Sequence, residues 1–138
     1  MELRGKVVLV CQNDGVFGDL RRVLEVLGLE AVSVHGCKEL RSRLQDHGVL
    51  AVFTETTLAD GRYSDVCRVA SEPATPLPVI VVSPFVDIDL LLDSMEKGAS
   101  DFIVPPFLST EVAYVLMTAL RDGLPRRVAM SHYAVGTA

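Results

Sequence analysis

Residues 6–11, Lys6-Val7-Val8-Leu9-Val10-Cys11, form a continuous apolar run that is rich in β-branched side chains. Such a run predicts a strand that is buried on both faces, as in a parallel sheet. The turn residues Gln12-Asn13-Asp14-Gly15 follow it. Apolar residues then recur at helical spacing before Gly28, a typical helix end: Phe17, Leu20, Val23, Leu24 and Leu27. The chain therefore begins with a predicted strand followed by a predicted helix.

The same alternation continues along the chain. Residues 71–78 contain three prolines and predict a loop. Strands that alternate with helices need right-handed crossovers, which place helices on both faces of one sheet. We therefore predict an α/β fold with an open five-stranded parallel sheet and a site beyond the carboxyl ends of its strands. The remaining predicted strands are residues 30–34, 50–54, 79–82 and 102–104, and the remaining predicted helices are residues 37–44, 64–70, 88–95 and 110–120.

The composition fits one globular domain. The 138 residues are 49% apolar, and the net charge of −5 argues against a nucleic acid as partner. No apolar run approaches the roughly 18 residues of a membrane span, and no signal-peptide core follows the charged start. Cys11, Cys37 and Cys67 are scattered, which fits reduced thiols. We expect a cytoplasmic protein that contacts no membrane, with a domain at residues 1–122 and a partly mobile C-terminal tail or linker at residues 123–138.

Three segments resemble the receiver domain of two-component response regulators. Residues 50–61 are similar to the family's third strand with its phosphoacceptor Asp and its Leu-Pro-Asp-Gly turn, and residues 78–83 to the fourth strand with its switch hydroxyl. Residues 97–107 are similar to the family's Gly-Ala-Asp-Asp-Tyr-Leu-Val-Lys-Pro-Phe stretch. The resemblance covers roughly residues 5–121. It implies a doubly wound (βα)5 fold of the flavodoxin-like type, with strand order 2-1-3-4-5.

The positions that carry the family's chemistry are changed in this chain. The acidic pair that holds Mg²⁺ falls on the neutral residues Cys11 and Gln12, whereas a hard cation prefers carboxylate oxygens. The phosphoacceptor falls on Glu55, whose extra methylene displaces its carboxylate, and the lysine that pairs with the phosphoryl group falls on Pro105. Phosphoryl transfer depends on such neutralisation of charge. The resemblance and these departures predict a degenerate receiver, or pseudo-receiver, without ordinary aspartate phosphorylation.

The changed positions leave little chemistry at the predicted site. No cofactor is expected, and Mg²⁺ binding should be weak or absent, with Asp14 and Glu55 as the remaining candidate ligands. Three roles remain open for Glu55, which is a solvated carboxylate at a strand end, a fixed negative charge that imitates phosphorylation or, least favoured, a phosphoacceptor. Cys11 should be unreactive, because nearby carboxylates raise the pKa of a thiol. No motif for catalysis is present, so we expect no enzymatic activity.

Other site positions keep residues that are similar to those of the family. Ser83 matches the switch hydroxyl, although such a hydroxyl also caps turns. Phe102 matches the switch aromatic, but a role in the core or in lining a groove is favoured because Phe lacks the hydroxyl of Tyr. Pro106 matches a family proline that follows a cis peptide bond. We therefore predict a cis bond between Pro105 and Pro106.

The resemblance also implies where partners bind. In the family they use the face formed by the fourth helix, the fifth strand and the fifth helix, and a second copy of the chain is one candidate partner. We therefore predict a signalling module that acts by protein–protein interaction. The expected contributors to this face are Asp93, Glu96, Lys97, Asp101, Phe102 and residues 110–121.

Two alternatives come from other classes of protein. The chain is alternatively the N-terminal regulatory part of a longer transcription regulator, for which the basic, proline-containing residues 122–127 would suit a linker. A flavodoxin-like cofactor-binding protein would use the same fold, but its flavin phosphate needs hydroxyls and backbone donors after the first strand. Residues 11–15 contain no Ser or Thr, which disfavours a flavin site.

Overall fold

The computed structural model describes residues 3–12 and 14–122. Within these ranges no helix is long and apolar enough to cross a membrane. The predicted tail at residues 123–138 lies outside the described residues. The strands are β1 (Lys6–Val10), β2 (Glu30–Val34), β3 (Val49–Thr54), β4 (Thr57–Leu58), β5 (Gly61–Arg62), β6 (Val79–Val82) and β7 (Asp101–Ile103). The helices are α1 (Gly15–Val26), α2 (Cys37–Arg43), α3 (Tyr63–Ala70), α4 (Ile88–Glu96) and α5 (Ser109–Asp122).

Five of the strands form one parallel sheet in the order β2-β1-β3-β6-β7. These are the five predicted strands, so the predicted α/β fold and strand order 2-1-3-4-5 are confirmed. Strands β3 and β7 begin one residue earlier than predicted, at Val49 and Asp101. Backbone pairing with the neighbouring strands extends to these residues, and composition alone does not indicate it.

A short antiparallel hairpin, β4–β5, follows β3 and is a departure from the predicted turn. Gly61 lies in it with φ +157°, a conformation that favours glycine. The turn carries Asp60 to the start of α2, where its carboxylate accepts the backbone N–H groups of Cys37 (2.9 Å) and Lys38 (3.2 Å). A β-carbon at Gly36 would lie 2.5 Å from Asp60 Oδ1, so this contact requires glycine there. The hairpin therefore supplies a carboxylate that caps the start of α2, whose N-cap residue is Gly36.

Two apolar layers hold the helices against the sheet. Burial of an aliphatic side chain contributes about 1.5–3 kcal/mol, so these layers dominate the stability of the fold. Because β1 and β6 are covered on both faces, they read as continuous apolar runs. The layer beneath α1 and α5 includes Val7, Leu9, Phe17, Leu20, Phe53, Ile80, Val112 and Leu116. The layer beneath α2, α3 and α4 includes Val8, Val10, Leu40, Val52, Tyr63, Val81, Leu91 and Phe102.

Candidate functional site

The carboxyl ends of β1 and β3 lie side by side, at the point where the strand order reverses. Val10 is paired with Thr54, and the N–H of Glu55 donates to the carbonyl oxygen of Val10 at 2.9 Å. The residues that follow the two strands therefore meet, and the backbone N–H of Gln12 donates to Glu55 Oε1 at 2.6 Å. Three predicted site positions, Cys11, Gln12 and Glu55, are brought together at this edge.

A cavity of about 150 Å³ lies beside Glu55. Glu55 is the charged residue among the described lining residues, and its side chain is half-buried. None of the ion pairs in the described ranges includes Glu55. The site is therefore a carboxylate that is set between apolar walls and is bonded to a neutral backbone donor. The described lining residues are Val16, Phe17, Glu55, Thr56, Val82 and Pro84.

Cys11 follows β1 and is only 3% exposed. Burial, and then the charges of Glu55 and Asp14, raise the pKa of its thiol to about 11. The Arg21 guanidinium and a hydrogen bond with Ser33 lower the pKa by less than these effects raise it. The thiol is consequently neutral near pH 7, whereas the thiolate is the nucleophile and the metal ligand. Cys11 is therefore unsuited to replace a magnesium-binding carboxylate.

Ser83 is buried at the end of β6, and its hydroxyl serves the next turn. Its Oγ donates to the carbonyl oxygen of Phe85 at 2.8 Å and accepts the N–H of Phe85 at 3.3 Å. These bonds agree with the turn-capping interpretation. They hold the loop so that Pro84 forms part of the cavity wall while the side chain of Phe85 is 74% exposed.

Phe102 lies away from the cavity beside Glu55. It is 3% exposed, belongs to the apolar layer beneath α2, α3 and α4, and lines a groove beside α4, in agreement with the core interpretation. The expectation that Asp101 contributes to the surface of the partner face is wrong. Asp101 is buried, and its carboxylate turns back to accept the N–H of Phe102 at 2.8 Å.

The Pro105–Pro106 peptide bond is cis, as predicted. Pro105 is half-buried and is not among the described residues that line the cavity. Proline carries neither a charge nor an N–H donor. This position therefore offers no cation to Glu55.

The residues at this edge do not fit a magnesium site. In residues 3–12 and 14–122, no group of three or more His, Cys, Asp or Glu side chains is positioned to hold a metal ion. Asp14 is exposed at the start of α1, and Glu55 already uses one oxygen for the Gln12 N–H. Magnesium needs near-ideal octahedral oxygen coordination, usually with carboxylates.

The walls that α1 and β6 contribute to the cavity are the part of the site that sequence analysis missed. Val16 and Val82 belong to a helix and a strand whose apolar residues are typical of a core, so their pattern does not indicate a cavity. Pro84 and Phe85 carry a usable signal, because an apolar pair in the connection between β6 and α4 is unusual for a solvated loop.

The amino-acid sequence is similar to part of known regulatory proteins. No family model matches the chain. The response regulator protein PilR of Pseudomonas aeruginosa is 25% identical over 107 residues, which cover 75% of this chain and 24% of PilR. The chain spans about a quarter to about half of the length of the curated relatives that it matches.

Two solved structures have the same fold. A crystal structure described as a response regulator of Chloroflexus aurantiacus has a TM-score of 0.76 at 21% identity, covering 86% of this chain and 99% of that one. A response regulator receiver domain protein of Clostridium thermocellum has a TM-score of 0.72 at 18% identity, covering 86% and 95%. The chain therefore has the receiver fold, and its resemblance to response regulator receiver domains is confirmed.

Proposed function

We propose that the chain is a receiver-like signalling module of a two-component or phosphorelay system that acts by protein–protein interaction without ordinary aspartate phosphorylation. The observation that carries this proposal is the 2.6 Å hydrogen bond from the Gln12 N–H to Glu55 Oε1. A neutral backbone donor thereby uses a carboxylate oxygen that a working receiver would offer to a metal ion or to a phosphoryl group. The proposal includes no cofactor, no enzymatic activity and a cytoplasmic location.

The electrostatics at the site support the absence of phosphoryl transfer. That reaction needs cations to neutralise the phosphoryl oxygens in the transition state. Pro105 supplies no charge, and Cys11 is a buried thiol whose raised pKa keeps it neutral. Glu55 forms no ion pair with any described residue. A second negative group would therefore meet an uncompensated carboxylate at this edge.

We infer that the chain has a single signalling state, and that Glu55 does not hold it in a state that imitates a phosphorylated receiver. The hydroxyl of Ser83 is engaged with the backbone of Phe85, and Phe102 is buried in the layer on the opposite face from the cavity. Neither side chain contacts Glu55 through a hydrogen bond in the described structure. In the described part of the chain, the negative charge of Glu55 therefore makes no hydrogen bond with the Ser83 hydroxyl through which it would imitate a phosphoryl group.

The proposed partner face has a groove of about 210 Å³ between α4, β7 and α5. Phe102 contributes to its floor, and Val86 and Ile88 are 73% and 56% exposed at its edge. Adjacent exposed apolar residues are typical of protein-binding surfaces. Glu96 and Lys97 are exposed on the same helix and its C-cap, so a partner, including a second copy of the chain, has charged groups to contact.

A second candidate is that the module is the regulatory part of a longer transcription regulator. The short span of the chain on its curated relatives favours this candidate, because it aligns with about a quarter to about half of their length. Limited proteolysis and mass analysis of the natural protein would test it. A natural product that ends at Ala138 would contradict it.

Titration with Mg²⁺, followed by the backbone amide shifts of Gln12, Glu55 and Thr56, tests the proposed function. We expect no saturable shift at millimolar metal, because the carboxylate ligands are missing. The matched control is the double variant Gln12→Asp/Glu55→Asp, which adds a carboxylate at position 12, shortens the one at position 55 and should bind the metal. Saturable binding by the unmodified chain would contradict the proposal.

A further inference from the structure

We propose that the cavity beside Glu55 binds the guanidinium group of an arginine side chain that a partner protein presents. This inference rests on the proposed function, because a bound magnesium ion or phosphoryl group would occupy the same space. Arginine binding would let a partner protein contact the module at the cavity beside Glu55 as well as at the α4–β7–α5 face.

The charge at the cavity selects a cation. Glu55 is half-buried there and forms no ion pair with any described residue. Glu55 and Asp14 both act on Cys11 as negative charges, so the local potential is negative. The nearby Arg21 is engaged elsewhere, because its guanidinium donates to the carbonyl oxygen of Ala31 at 2.6 Å and to Ser33 Oγ. A half-buried carboxylate without a paired cation is screened less by water and salt than an exposed one, so a positive charge that is placed beside it is attracted more strongly.

The walls favour a guanidinium over an ammonium group or a metal ion. Val16, Phe17, Val82 and Pro84 are apolar, and the space of about 150 Å³ is comparable to one long side chain. A guanidinium is flat and weakly hydrated, so it loses less than an ammonium when it leaves water, and its methylene stem packs on apolar walls. Glu55 Oε2 is available to accept an N–H, which gives a charge-assisted hydrogen bond.

The rim of the cavity indicates that the arginine belongs to a protein. Phe85 directly follows the wall residue Pro84 and is 74% exposed, and the two hydrogen bonds of Ser83 hold this loop in place. A preorganised apolar rim around a buried charged contact is the usual surrounding of an arginine that dominates a protein interface. A free guanidine would leave this rim exposed, whereas a peptide with an apolar residue next to its arginine covers it.

The test is a metal-free titration followed by backbone amide shifts. The probes are a capped Leu-Arg dipeptide, capped arginine, capped lysine and n-propylguanidinium. We expect saturable shifts at Gln12 and Thr56 with a dissociation constant in the millimolar range for capped arginine, severalfold tighter binding of the dipeptide and severalfold weaker binding of capped lysine. Equal affinity for n-propylguanidinium and the dipeptide would overturn the assignment to a protein partner.

Two variants isolate the carboxylate. Glu55→Gln keeps the shape of the side chain and should weaken capped arginine by about tenfold or more. Glu25→Gln removes the same charge from an exposed position on α1 outside the cavity wall and should change the affinity by less than about twofold. Unchanged shifts at residues far from the site establish that each variant is folded. No saturable shift, or binding that survives Glu55→Gln, would overturn the proposal. Phosphorylation and Mg²⁺ binding are measured in separate experiments. A failure of the proposed function can therefore be distinguished from a failure of the cavity to bind arginine.

Discussion

At the scale of single residues, Asp60 stabilises a helix start that lies 22 and 23 residues away in sequence. Its carboxylate accepts the N–H groups of Cys37 and Lys38, and these bonds hold its pKa below the usual range. Substitution Asp60→Ala should lower the free energy of unfolding by about 1 kcal/mol near pH 7. Chemical denaturation measures this value.

The effect of Asp60 on stability should depend on pH. Because its pKa is lower in the folded state than in the unfolded state, its contribution is present above the unfolded pKa and is lost as the pH falls through the folded value. The difference between the wild type and Asp60→Ala should therefore shrink below about pH 4. The control Asp46→Ala removes an exposed carboxylate paired with Arg43 at 3.4 Å and should change stability by less than about 0.5 kcal/mol. Equal effects of the two variants would contradict the capping role.

Cys11 provides a chemical probe of the charge at the site. Its thiol pKa is raised to about 11, so alkylation should be slow at pH 8 and should accelerate as the pH rises toward that value. Removal of a negative charge lowers a thiol pKa, and Glu55→Gln should therefore speed the alkylation of Cys11 at pH 8. Peptide-level mass spectrometry after iodoacetamide treatment measures the rate.

Cys67 is an internal control for this experiment. Burial alone raises its pKa to about 12, so its alkylation rate should be the same in the wild type and in Glu55→Gln. Acceleration at both cysteines would indicate a general loosening of the fold, and an unchanged Cys11 rate would contradict the charge assigned to Glu55.

At the scale of elements, a polar contact attaches α4 to α3, beside the apolar contacts of Leu90, Leu91 and Met95. Only Leu91 and Ser94 of α4 are buried, and the hydroxyl of the fully buried Tyr63 donates to the carboxylate of Asp93. Burial, and then Asp93, raise the pKa of Tyr63 to about 12, so the phenol stays a donor. This hydrogen bond therefore fixes the helix that borders the proposed partner groove.

Substitution Tyr63→Phe should release α4 more than the rest of the fold. The loss of a hydrogen bond to a charged group predicts a decrease of about 1–3 kcal/mol in the free energy of unfolding. Native-state hydrogen exchange should be accelerated most for the amides of α4. Asp93→Asn keeps an acceptor for Tyr63 and should have a smaller effect. Uniform acceleration across all helices would contradict a specific attachment of α4.

The elements also differ in how well local sequence predicts them. Continuous runs such as Val79–Val82 indicate buried parallel strands, because burial on both faces removes the alternation of polar residues. The β4–β5 hairpin has two residues in each strand, too few for any periodicity. Asp101 is acidic, and composition alone suggests exposure, but its carboxylate is satisfied by the adjacent N–H of Phe102. The pairing of this hairpin and the burial of Asp101 are decided by packing in the complete fold and not by local pattern.

At the scale of the whole molecule, the topology explains why part of the site was predictable. Parallel strands end at the same edge of a sheet, so the sequence analysis correctly brought Cys11, Gln12 and Glu55 together. The cavity depends on side chains from α1, β6 and the loop after β6, whose relative positions require the complete fold. The choice between two roles of Ser83 likewise needed the loop conformation, because both roles use the same hydroxyl.

The central claim is that a receiver fold is retained here without phosphoryl transfer. The most direct measurement is the intact mass after incubation with a small-molecule phosphodonor and Mg²⁺, for the wild type beside Glu55→Gln and Glu55→Asp. We expect no phosphoryl adduct on the wild type, because Cys11, Gln12 and Pro105 supply neither metal ligands nor a cation. An adduct on the wild type that is lost in Glu55→Gln would contradict the account and would identify the chain as a working switch.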